Sequence, residues 1–176
     1  DYIQPVVNEM SWYKMNDFQV HLNDNLIPLE NYSKEGKDPM TAYSGFRLES
    51  DIKEGGNGGR NKADLTSKDV FYTKDEFRDF IKESRTYGVN IVPEIDTPAH
   101  SLALTKVRPD LRHGTYGREN DHLNLTGKYD ESLAFVKSIF NEYMGKDLKN
   151  PVFDKDTIIH VGADEYSADG NAYRKF

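Results

Sequence analysis

Three short apolar stretches in this chain each run into acidic residues. Phe18 to Asn23 leads into Asp24, Asn90 to Ile95 into Asp96, and Ile158 to Ala163 into the adjacent pair Asp164 and Glu165. A buried strand has no structural use for such a carboxylate, because desolvating an unpaired charge is costly. Three strands that deliver acids to a common rim constrain the fold and the chemistry together.

The side-chain parity of these strands narrows the fold. Phe18, Val20 and Leu22 point one way, as do Ile91, Pro93 and Ile95, and Ile159, Val161 and Ala163. The opposite faces carry Gln19, His21 and Asn23, then Glu94 and Asp96, then His160, Gly162 and Asp164. A doubly wound open sheet is covered by helices on both faces and reads apolar on both. One apolar and one polar face fits a barrel whose interior approaches a polar site, with the chemistry at the C-terminal strand ends.

Helical patterns separate the strands, as a parallel sheet requires. Ile3, Val6, Met10 and Tyr13 have helical spacing, with Pro5 tolerable in a first turn and Trp12 expected to pack. Thr73 to Glu76 reads as a capping box ahead of Phe77, Phe80 and Ile81, and Gly88 closes that helix. Leu133, Val136, Phe140 and Tyr143 mark a third. The segments from 24 to 72 and from 96 to 129 read as long loops. Gly55 to Gly59 lacks the spacing of a phosphate-binding loop and reads as surface. A full (β/α)₈ barrel needs about 250 residues. The 176 residues here are therefore expected to be a fragment, residues 1–176, holding about three βα units of the N-terminal half.

Charge excludes one large class of partner. With 23 basic against 30 acidic residues the net charge is −7, and no basic patch is present to hold a nucleic acid. No apolar run is long enough to span a membrane. With no cysteine, disulfides, thiolate metal sites and cysteine nucleophiles are all ruled out. No export signal is visible in the chain, which opens on Asp1.

Three motifs now carry a resemblance. Lys14 to Asp24 (KMNDFQVHLND), Val92 to His100 (VPEIDTPAH) and His160 to Glu165 (HVGADE) are similar, in that order, to the second-, third- and fourth-strand motifs of glycoside hydrolase family 20, the β-N-acetylhexosaminidases. The resemblance extends over nearly the whole chain and about half of a family catalytic domain. It looks nearest to cell-surface exoglycosidases of Gram-positive bacteria, which implies an extracellular or cell-wall-attached protein. It also implies a retaining hydrolysis of terminal N-acetylhexosaminides in which the substrate's acetamido oxygen, not an enzyme carboxylate, attacks the anomeric carbon. On that resemblance Glu165 is the general acid and then base, Asp164 holds the acetamido N–H, and Asp24 and His100 form a relay to Glu165. Neither a cofactor nor a metal is implied.

Parity supports this division. Asp164 faces inward, whereas Glu165 would face outward on a regular strand, so the chain must turn there. Asp96 could orient local backbone or bind a sugar hydroxyl. His160 and His21 read as lining residues, with His160 a candidate substrate contact, and Glu94 as part of an interior network. Arg47, in the segment Phe46 to Glu49, resembles a loop beside the family's site. Ala99 and Ala163 stand where the family commonly has glycine, and ordinary strand-end dihedrals would tolerate both. The family's sugar-binding arginine, pocket tryptophans and tyrosine donor have no counterpart here, so the segment alone is expected to be inactive.

Two other classes fit the same residues. Asp96 and His100 with His21, Asp24, His160 and Asp164 could serve a metal-dependent hydrolase, although Pro98 argues against the helix their spacing would need. A non-catalytic carbohydrate-binding or adhesion module could keep the fold, but intact Asp164 and Glu165 argue against it.

Overall fold

The computed structural model of the chain describes residues 3–26, 29–52, 64–114 and 121–176. Strands β1 (Asp17–His21), β4 (Asn90–Thr97) and β5 (His160–Gly162) form a parallel sheet in the order β1-β4-β5. Neighbours in this sheet follow chain order, with helix α3 (Lys74–Thr86) between the first two and α5 (Tyr129–Met144) between the last two. A second, antiparallel sheet pairs β2 (Asn23–Asn25) with β3 (Ser44–Phe46). The expected glycine-rich surface loop, Gly55 to Gly59, lies outside the described residues.

The polar and apolar faces are where parity puts them. Val20 pairs with Pro93 and His21 with Glu94, while Glu94 pairs with His160. On one side Val20, Ile91 and Ile95 join the core with Phe77, Phe80 and Ile81 of α3. On the other side Glu94 gathers the polar row. Its carboxylate lies 3.2 Å from His21 Nδ1 and 3.6 Å from His160 Nδ1, and it accepts a hydrogen bond from the Gln19 amide.

Helix α3 begins as its sequence dictates. The Thr73 hydroxyl accepts from the Glu76 N–H, and the Glu76 carboxylate accepts from the Thr73 N–H. On its aromatic face Phe80 stacks on Tyr72 and Phe77 meets Phe153 edge to face, and Phe153 in turn meets Tyr143 of α5.

Several expectations need correcting. The first strand stops at His21. Leu22 N–H still donates to Glu94 O, but Leu22 O accepts from Arg47 N–H, so the chain changes partner and continues as β2. The third strand covers only His160–Gly162, and Val161, expected inside, is 46% exposed on its open edge. In α1 (Ile3–Trp12) the buried residue is Val7 rather than Val6, and Trp12, expected to pack, is 85% exposed at the helix end. In α5 the buried stripe is Ser132, Phe135, Val136, Ile139 and Tyr143; it includes the expected Val136 and Tyr143, while Leu133 and Phe140 are only partly buried at its edge. Among the described residues, the two long loops hold helices α2 (Leu29–Lys34) and α4 (Leu102–Val107) as well as 3₁₀ turns at Pro39–Thr41 and Pro109–Leu111.

Candidate active site

The site is built where β1 ends, where β4 ends and where β5 ends. Between Glu94–His160 and Thr97–Gly162 the β4 strand holds one residue more than β5. Such a bulge bends a strand and re-aims its side chains. Here the Asp96 carboxylate is turned under the β5 end, where it accepts from Ala163 N–H at 3.2 Å.

Gly162 makes that approach possible. A Cβ on this residue would lie 1.9 Å from Asp96 Oδ1, and its φ is +69°. The turn then continues through non-glycine residues with positive φ: Ala163 at 67° and Glu165 at 51°. The inward turn expected at Glu165 is present. The ordinary dihedrals expected at Ala163 are not, because its N–H must reach both Thr97 O and Asp96.

His100 is the hub. The residue is 8% exposed, and its ring reaches Asp24 Oδ1 with Nδ1 at 3.2 Å and Glu165 Oε2 with Nε2 at 3.3 Å. Asp164 Oδ1 lies 4.0 Å from the same Nε2. The hydrogen bond to Asp24 pushes the His100 pKa up to about 9, against burial and with help from the Asp96, Asp24 and Asp121 charges. At neutral pH the ring is therefore an imidazolium that donates to Asp24 through Nδ1 and directs Nε2–H at the Glu165 carboxyl group. Asp24 also accepts from His21 Nε2 at 3.0 Å and from Asn25 N–H at 2.7 Å. Burial pushes the Asp24 carboxyl upward, but these hydrogen bonds outweigh it and hold the group well below the usual carboxylate range. His21 is likewise raised to about 9, chiefly by its bond to Asp24.

Asp164 and Glu165 remain accessible, with side chains 64% and 54% exposed. Asp96 does not. It is 1% exposed, and burial followed by the Asp164 charge raises its pKa. Of the two roles open to Asp96, orienting the backbone has the geometry, and no surface is left for a sugar hydroxyl. His160 Nδ1 accepts from Gly162 N–H at 3.1 Å and faces Glu94, which makes it a lining residue. Arg47 lines a cleft with His21, Asp24 and Tyr43, and its guanidinium binds Asp69, Val70 O and the Tyr43 hydroxyl. The structure thus brings Asp24, Asp96, His100, Asp164 and Glu165 together, with His160 and Arg47 at the margins.

Asn23 is a site residue that spacing did not reveal. Its amide accepts from Asp96 N–H at 2.7 Å and donates to Asp96 O at 2.9 Å and His100 O at 3.2 Å. It stands in for the strand partner that β4 loses when β1 turns away. Parity puts Asn23 on the polar face, but its bonds to the Asp96 and His100 backbone are visible only in the fold.

Metal donors can be sought in two groups, Asp96–His100–Asp164 and His21–Glu94–Asp96, whose donor atoms lie within 4.8 Å of one another. His100 and His21 each have both nitrogens directed at carboxylates and carry a raised pKa. A protonated ring has no lone pair for a metal, so neither group fits a cation well.

Comparison with known proteins adds a lineage to this geometry. The model of glycosyl hydrolase family 20, catalytic domain, matches residues 1–174. A β-hexosaminidase of Akkermansia muciniphila is 28% identical over 174 residues, covering 93% of this chain and 30% of that protein. A β-hexosaminidase of Vibrio furnissii is 31% identical over 180 residues, covering 93% of this chain and 26% of that protein. Among solved structures, the β-N-acetylhexosaminidase of Bacteroides fragilis superposes with a TM-score of 0.54 at 23% identity, over 94% of this chain and 29% of that one. The α/β fold is therefore shared, and the chain spans less than a third of the length of each of these three proteins.

Proposed function

The chain belongs to glycosyl hydrolase family 20, and from that premise we propose that it is the part of a larger (β/α)₈ barrel that carries the acid–base machinery of a β-N-acetylhexosaminidase. The observation that carries this reading is the continuous line Asp24–His100–Glu165, with contacts of 3.2 and 3.3 Å, beside an exposed Asp164.

The substrate is an oligosaccharide or glycoconjugate ending in a β-linked N-acetylhexosamine. Glu165 protonates the glycosidic oxygen as the acetamido oxygen attacks the anomeric carbon and the bond to the aglycone breaks. Asp164 accepts the acetamido N–H and offsets the positive charge that builds on the resulting oxazolinium ring. Glu165, now a carboxylate, faces the His100 imidazolium, which stabilises it until it takes a proton from the incoming water. Water opens the ring at the anomeric carbon with overall retention. Arg47 edges the cleft beside Asp24. We place the parent protein outside the cell or on the cell wall, following the resemblance of its motifs.

The test is hydrolysis of an alkyl N-acetyl-β-glucosaminide and of the matching plain glucoside by the full-length polypeptide and by Glu165→Gln. Turnover of the acetamido substrate alone, reduced about 10²–10⁴-fold in the variant, is expected, since that is the usual contribution of a general acid. Equal turnover of both sugars, or an undiminished variant, would contradict the assignment. Loss of activity on adding a chelator would favour the metal-dependent reading instead.

A further inference from the structure

We propose that Asp121 and His122 are positioning residues for Glu165, forming a buried strut that ties the Asp24 loop to the acid–base turn. This rests on the reading of Glu165 as acid and base.

The strut begins at Asn25, next to Asp24, whose amide donates to Asp121 Oδ2 at 3.1 Å. The other Asp121 oxygen lies 2.8 Å from His122 Nδ1. On the far side of the ring, Nε2 accepts from Ser167 N–H at 3.1 Å, two residues beyond Glu165. The ring stacks on Tyr166, with centroids 4.9 Å apart, and the Tyr166 hydroxyl donates to Leu123 O at 3.0 Å. His122 is 2% exposed and Asp121 7%, so both are enclosed. Backbone bonds tie the same segment to the His100 loop: Ser101 N–H donates to Asp121 O, and Leu123 N–H donates to Pro98 O.

A backbone N–H can only donate. Nε2 must therefore be unprotonated, and the imidazole proton sits on Nδ1, directed at Asp121. A carboxylate fixing an imidazole's tautomer and orientation is how such pairs place a group beyond the ring. Ser167, His122 and Asp121 also follow the order of a hydrolytic triad, with the serine hydroxyl 3.3 Å from Nε2. That lone pair is already engaged by Ser167's own N–H, so the ring is an anchor rather than a base.

The strut answers a need the turn creates. Glu165 has a φ of +51° and is more than half exposed, so burial does little to hold it. His100 meets the carboxylate from one side. His122 fixes the backbone immediately after it. Two connections thus run in parallel from neighbouring residues of β2, Asp24 and Asn25, to the same turn.

The experiment compares wild type with His122→Phe, which keeps a ring against Tyr166 but removes the acceptor for Ser167 N–H. Asp121→Asn is a second variant that preserves size. Both are assayed in the full-length polypeptide on a nitrophenyl and an alkyl N-acetyl-β-glucosaminide. The nitrophenolate leaves without much protonation, whereas the alkoxide needs the acid. A 1 Å misplacement can cost about 10²-fold, so the alkyl substrate is expected to lose on the order of 10–10²-fold in kcat and the nitrophenyl substrate only a small part of that. In a Glu165→Gln background, His122→Phe should cause almost no further loss on the alkyl substrate. Equal losses on both substrates, or losses that multiply with Glu165→Gln, would overturn the proposal and leave the Glu165 assignment standing. Absence of turnover by wild type on either substrate would overturn both.

Discussion

Gly162→Ala is the sharpest single perturbation of this site. The new methyl carbon would lie 1.9 Å from Asp96 Oδ1, 2.3 Å from Asp96 Cγ and 2.8 Å from Asp96 Cα. Rotating the Asp96 side chain could relieve the first two contacts but not the third, which is backbone. The Asp96 backbone is itself held on both polar groups by the Asn23 amide. Two costs add. An L-residue at φ +69° costs roughly 1–2 kcal/mol, and overpacking a tight site typically costs about 1–3 kcal/mol. Against them, alanine restricts the unfolded chain, which returns about 0.4–1 kcal/mol. The net expectation is a loss of roughly 2–4 kcal/mol. Gly36→Ala separates the two costs, since Gly36 has φ +71° and a methyl carbon added there would meet no atom within 4 Å. It should lose only about 1 kcal/mol. Urea midpoints of the full-length variants, read with the hydrolytic rate, decide the matter. Gly162→Ala no less stable than Gly36→Ala, with wild-type rate, would refute the claimed packing of Asp96 beneath the turn.

Two further outcomes follow from the hydrogen bonds. The folded state raises the His100 and His21 pKa values from 6.5 to about 9, with Asp24 the largest cause for each. A raised imidazole pKa gives stability that is complete below pH 6.5 and is lost as pH rises through about 9. Asp24→Asn should therefore flatten melting temperature against pH over that window, and an unchanged slope would count against the relay. Asn23→Ala orphans the Asp96 N–H and removes the amide donor from His100 O and from Asp96 O, which keeps only the Ser101 hydroxyl at 3.4 Å. A buried unsatisfied group costs about 1–3 kcal/mol, so a loss of roughly 2–4 kcal/mol in urea is expected, and one under about 0.5 kcal/mol would contradict it.

Much of the scaffold was legible because burial in a strand has a period of two. Gln19, His21, Glu94 and His160 could be placed on one face from parity alone, and they meet there. The capping box at Thr73 was equally plain, since its signal is local. Helix phase was harder. Val6 and Val7 are adjacent and equally apolar, and only packing in the folded chain, where α1 lies against α3, selects Val7. In α5 hydrophobicity found Val136 and Tyr143, but Leu133 and Phe140 only flank a stripe whose first member is the polar Ser132. Helices α2 and α4 have six residues each, too few for a period to emerge. Asp24, His100, Asp164 and Glu165 were found through motifs, whereas Asn23, Asp121 and His122 were not. Their function lies in hydrogen bonds across more than forty positions of chain, which no local pattern records.

The distribution of backbone strain gives these bonds their meaning. Among the described residues, four non-glycine residues have positive φ: Lys14, His100, Ala163 and Glu165. Three of the four are at the site. Each such conformation costs of order 1–3 kcal/mol and persists only where the surroundings over-determine it. The surroundings here do so. Asn23 holds His100 O, Thr97 O and Asp96 hold Ala163 N–H, the Tyr173 hydroxyl donates to Ala163 O, and His122 fixes the backbone just past Glu165. Without that turn, Glu165 would follow strand alternation and face away from His100. The buried amide and imidazole that hold the turn are therefore part of what brings an acid to the imidazolium, although neither can touch a substrate.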